Sequence, residues 1–162
     1  MLRKTIVGVT LFAFLMCVSP VVSRAQGPDP KTVADIKEMI DRHDRALGEK
    51  NLTALMETFA PGPNTVVMGT GPGERWVGPD EIRAAYTEIF KEFDVGTLKV
   101  TKTWAYGDAD GNVAWISAQA NCVEFLKNVK REYALNVSAT LVKREGRWFI
   151  VSLHMSNPTA PE

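Results

Sequence analysis

Cysteine and histidine are scarce in this chain: its 162 residues hold two of each, Cys17 and Cys122, His43 and His154. One disulfide at most is possible, and no His-x-x-x-His pair or other zinc-ligand spacing occurs, so neither a disulfide framework nor a metal site is expected. No motif implies a cofactor. Net charge is missing as well, because 19 Lys and Arg balance 19 Asp and Glu, and a strongly basic nucleic-acid binder is excluded. The chain lacks Gly-x-Ser-x-Gly, which removes the support for serine-hydrolase chemistry. The run Gly69-Thr70-Gly71-Pro72-Gly73 has no Lys-Ser or Lys-Thr ending and opens onto no helix, so it is no phosphate loop. Asp108 to Asn112 alternates oxygens like a calcium loop, but its glycine falls two places early and Gln119 stands where a closing Glu is needed. It reads as a turn.

What is present begins with an address. Arg3 and Lys4 precede an apolar run from Ile6 to Val18, followed by Pro20 and the small-x-small site Ser23-Arg24-Ala25. This layout is that of a secretory signal peptide over residues 1–25, and the run is too short for the roughly 20 residues that span a bilayer. A periplasmic or secreted location follows as an expectation, with no membrane partner after removal of the signal. Cys17 follows Met16, where a lipidation site wants a small side chain. Without residues 1–25 the chain has 16 basic and 19 acidic groups, a net charge of −3, and Cys122 is left as a lone buried strand residue. Asn51-Leu52-Thr53 and Asn136-Val137-Ser138 match glycosylation acceptors, relevant only in a eukaryotic secretory route.

Residues 26–30 form a Gly/Pro linker. Val33, Ile36, Ile40, His43 and Leu47 recur at spacings of three and four, predicting an amphipathic helix over Thr32 to Glu49. Asn51 caps a short second helix with Leu52, Leu55, Met56 and Phe59, stopped at Ala60-Pro61-Gly62-Pro63. Thr65 to Met68 and Glu74 to Val77 read as short strands, and Gly78-Pro79-Asp80-Glu81 opens a third helix whose stripe is Ile82, Tyr86, Ile89, Phe90 and Phe93. Four β-type segments follow, Thr97 to Tyr106, Val113 to Phe125, Arg131 to Val142 and Arg147 to Ser156. Helices before a meander give an α+β fold, with helices on one face of a curved antiparallel sheet. In the last strand, strict alternation puts Trp148, Ile150, Ser152, His154 and Ser156 on one face and Phe149, Val151, Leu153 and Met155 on the other. The second set is apolar throughout, so a second subunit is expected to cover it.

Asp44-Arg45-Ala46-Leu47 ending the first helix, the short Leu52 to Phe59 helix, Gly69-Thr70-Gly71 with Trp76-Val77-Gly78, and Gly146 to Val151 followed by His154 and Ser156 resemble the SnoaL-like branch of the nuclear transport factor 2-like superfamily. The likeness covers residues 31–158, leaving 159–162 as a tail. It implies a cone-shaped, cystatin-like curved sheet wrapped around the N-terminal helices, an apolar pocket at the open end and frequent homodimers through the sheet. Members include isomerases, dehydratases, hydrolases and binding proteins, so fold alone leaves function open. The tyrosine and paired acids of the steroid-isomerase-like members have no counterpart here, and Ser138 stands two residues before Thr140 where many relatives place an arginine.

The expected function is an exported protein binding a small apolar molecule. The alternative is an isomerase or lyase with His154 as general base, assisted by Asp44 or Glu124. The other reading of His154 is a core histidine bonded to a helix or to Ser156. Trp76, Tyr86, Trp104, Glu124, Trp148 and Ser156 are the candidate ligand contacts. His43 reads as a helix-edge residue, or as a partner brought towards His154. Glu74 and Arg75 lie near the expected pocket mouth, as a ligand clamp or a surface pair.

Overall fold

A computed structural model of the chain describes residues 27–158; the signal segment, Cys17 and the 159–162 tail lie outside the described residues. Helix α1 spans Pro30–Gly48, where Asp29 accepts from the Thr32 amide at 2.9 Å and Pro30 opens the first turn. It buries Met39, His43 and Ala46 against the sheet, while Val33, expected inside, is half exposed. Asn51 caps α2, Leu52–Met56, through the Ala54 amide. Strands β1, Val66–Met68, and β2, Arg75–Val77, pair as a hairpin before α3, Gly78–Ile89.

The long strands are β3, Lys99–Asp110, β4, Val113–Leu126, β5, Val129–Arg144, and β6, Arg147–Ser156. Lys127 and Asn128, at φ 50° and 66°, and Glu145 and Gly146, at 51° and 79°, make the two-residue turns whose left-handed backbone matches strand twist. The six strands lie in the order β2-β1-β6-β5-β4-β3. The sheet is mixed rather than wholly antiparallel, because β1 runs parallel to β6. Leu55, Val67, Ile82, Leu141, Trp148, Ile150 and Leu153 form a core between the helices and one sheet face.

Two bulges decide which side chains enter that core. In β6, Ile150 pairs with Leu141 and Ser152 with Thr140, so Val151 is an extra residue. In β3, Lys102 pairs with Ala120 and Trp104 with Gln119, so Thr103 is extra. A bulge bends its strand and reverses the alternation beyond it. The expected outer row Phe149, Val151, Leu153 and Met155 is therefore no single face. Leu153 is buried and Met155 packs on the core, whereas His154 is exposed. Trp104 and Tyr106, by the same reversal, stand on the outer face at 52% and 62% exposure.

Candidate functional site

The inward positions of β4 include Ala114, Ala118 and Ala120, too short to fill the space beneath α1. An interior cavity of about 160 Å³ remains there. Ile40, Ile116, Val137, Leu141, Ile150 and Leu153 are among its walls, and its polar lining residues are His43, Asp44 and Lys102. His43 and Asp44 are neighbours on α1, so their side chains diverge by about 100° around the helix. His43 turns into the core, its ring edge-on to Phe59 at 5.8 Å. Asp44 faces β3, where the Thr103 bulge leaves Lys102 inward.

Asp44 joins the three. Its Oδ2 lies 2.6 Å from Lys102 Nζ and its Oδ1 3.3 Å from His43 Nδ1. Burial pushes the Asp44 carboxyl up, but the His43 contact and the bond and charge of Lys102 outweigh it, and the net direction is down. An ionised Asp44 favours the proton on Nδ1 of His43, which leaves Nε2 with its lone pair. That nitrogen is buried and has no hydrogen-bond partner among the described residues. An imidazole oriented by a carboxylate, its far nitrogen unspent, has the makings of a general base.

A second polar group occupies the other end of the concave face. Buried Glu124 accepts from the Tyr133 hydroxyl at 3.1 Å and pairs with Arg131 Nη2 at 2.6 Å. Burial first, then the Glu124 charge, drives the Tyr133 phenol well above its ordinary range, and the same two causes raise the Cys122 thiol. Beside Tyr133 an open groove of about 690 Å³ runs between α3, the 69–74 turn and the ends of β5 and β6.

The expected site residues divide accordingly. Asp44 borders the interior cavity, Trp76 the groove, and Glu124 sits inside. Tyr86 is buried between Phe59 and Phe90, its phenol pushed up by burial and then by Asp44. Trp148 is a core residue at 3% exposure, beneath α1 beside Met39 and Arg42. His154, Ser156 and Trp104 point away from the cavity: His154 pairs across with Ser138, Ser156 with Asn136 and Trp104 with Gln119, all outward positions. Asp44 and His154 are thus on opposite sides of the sheet, and His43 is the histidine that meets Asp44. Lys102, Tyr133 and Arg131 are absent from the expectations. Their strands carry Lys, Arg and Tyr at several positions, and nothing local marks which point inward.

The model of the SnoaL-like domain matches residues 36–160. The chain belongs to the SnoaL-like domain family. Solved structures agree on the fold of this SnoaL-like chain. A cystatin-like protein of unknown function from Nostoc punctiforme superposes with a TM-score of 0.69 at 15% identity, covering 83% of this chain and 97% of its own. A candidate dehydratase of the NTF2-like family from Streptomyces avermitilis reaches 0.70 at 16% identity, with 81% and 100% covered. A ketosteroid isomerase-like protein from Erwinia carotovora atroseptica reaches 0.66 at 19% identity, with 82% and 100% covered. No curated protein matches the chain. Identities this low speak for the fold, and the chemistry of the SnoaL-like domain rests on its own side chains.

Proposed function

We propose that this SnoaL-like protein binds a small, largely apolar molecule in the cavity beneath α1. The observation that carries the proposal is the lining: among the described residues, apolar walls interrupted by His43, Asp44 and Lys102 alone. An apolar void of about 150 Å³ takes a benzene-sized ligand, and binding raises the melting temperature by mass action. The experiment is incubation of the purified protein with extract of its source, native mass spectrometry of what is retained, and a thermal shift with the recovered compound. A shift abolished by Ala118→Leu, which fills the cavity, supports the reading; a shift unaffected by it rejects it.

A second reading is an isomerase or lyase. The free Nε2 of His43 favours it, and so does the fold shared with a ketosteroid isomerase-like protein and a candidate dehydratase. Nε2 of His43 takes a proton from a substrate carbon and Asp44 steadies the resulting imidazolium. The proton then returns to another carbon, or leaves with a hydroxyl as water. His43→Gln with full turnover of the retained compound rejects this reading.

The protein is further proposed to be exported, on the strength of Arg3, Lys4, the Ile6 to Val18 run and Ser23-Arg24-Ala25. Native protein whose sequence starts at Met1 refutes export. It is also proposed to pair with itself through the outer sheet face, where Trp104, Tyr106 and Trp115 are exposed.

A further inference from the structure

The open groove beside α3 has a chemistry unlike the interior cavity. Its walls are apolar and aromatic, with Trp76 from β2, Leu135 and Tyr133 from β5 and Met155 from β6. Among the described residues its charged lining is acidic, Glu74 and Glu88, with no Lys or Arg. Glu74 is held by the turn: its Oε2 accepts from the Gly71 amide at 2.7 Å, and Gly69 leaves room for the same carboxylate. The turn is therefore wrapped around this carboxylate. Glu88 pairs with Lys91, both side chains well exposed. Behind Tyr133, Glu124 and Glu92 share Arg131. Two carboxylates, Glu74 and Glu88, thus line an aromatic-walled groove in which no described lining residue is a cation.

We infer that this groove binds an organic cation, an alkyl- or arylalkylammonium whose charged head sits among Glu74, Glu88 and the Trp76 face while its apolar tail lies along Leu135 and Met155. The ammonium gains Coulomb attraction from the two lining carboxylates and attraction to the aromatic rings. An anionic ligand of the same shape meets repulsion from both lining carboxylates. A volume of about 690 Å³ suits a drug-sized ligand. The inference is independent of the interior cavity and of His43.

The test titrates the purified protein with phenethyltrimethylammonium, with its neutral tert-butyl isostere and with 4-phenylbutyrate, following tryptophan fluorescence. The cation is expected to quench, and Trp76→Phe to remove the response. Glu88→Gln, an exposed change that leaves the fold intact, is expected to weaken the cation about two- to fivefold, the factor an exposed ion pair supplies. Glu74→Gln does the same, with the Glu88 variant deciding if the turn loosens. Equal binding of the isostere, tighter binding of the carboxylate, a Glu88→Gln affinity equal to that of the unmodified protein, or no response to the cation at millimolar concentration each overturns the inference. Phosphatidylcholine vesicles separate two sources of the cation. Cosedimentation weakened in Glu88→Gln by the same factor as probe binding assigns a lipid headgroup, and probe binding without cosedimentation assigns a free amine.

Discussion

Ile150 and Leu153 border the same interior cavity although three positions separate them on one strand. Regular alternation would set them on opposite faces; the extra residue Val151 brings them together and sends His154 outward. The two neighbours Leu153 and His154 therefore answer mutation differently. Leu153→Ala, which empties a buried site, is expected to cost about 2–5 kcal/mol, and His154→Gln no more than about 0.5 kcal/mol. Denaturant titration measures both, and equal costs would return His154 to the interior.

Asp44 supplies a pH signature. Its carboxyl is held below the ordinary 3.8: burial pushes it up, and the His43 contact and Lys102 outweigh that. A depressed folded-state value contributes stability that is present above the unfolded value and lost as pH falls through the folded one, so the window lies below about pH 4. The stability difference between the unmodified protein and Asp44→Asn should stay level from neutral pH to about 5 and shrink below about 4. A difference that grows with acid reverses the sign and removes Asp44 as the anchor of the site.

The outer face makes a prediction about assembly. Trp104, Tyr106 and Trp115 are 52%, 62% and 44% exposed, and side chains of this size on one sheet face invite a partner. The unmodified protein is expected to sediment as a dimer at tens of micromolar and Trp115→Glu as a folded monomer. A monomeric unmodified protein leaves that face without a partner of its own kind.

Cys122 is expected to be inert. It is 2% exposed, and burial, then the charge of Glu124, pushes its thiol up, so both access and thiolate are denied. An aromatic disulfide reagent at pH 8 should label it only as fast as the sheet opens, and at once in denaturant. Immediate labelling of the native protein contradicts the packing of β4.

Much of the fold is legible in the sequence. Helix spacing from Ile36 to Leu47, the Asn51 cap, Pro79 in the first turn of α3 and the turn residues between strands are local signals, each read within a few residues of where it acts. Asp44 lies on the interior cavity and Trp76 on the groove, but the His154 that Asp44 was expected to assist stands on the other face of the sheet. His154, Ser156 and Trp104 were misplaced for one shared reason, the bulges at Val151 and Thr103. Nothing in Ile150-Val151-Ser152 or Lys102-Thr103-Trp104 distinguishes a bulged residue from a regular one.

The order of elements and the SnoaL-like family are written in local signals along the chain. Tertiary structure alone decided which histidine meets Asp44. A sheet that must curve around α1 gains its bend by inserting single residues where strands would otherwise splay, and each insertion exchanges inside for outside along the rest of the strand. Lys102 is drawn in and His154 put out by strand pairing across the sheet, a long-range constraint that no window of neighbouring residues contains.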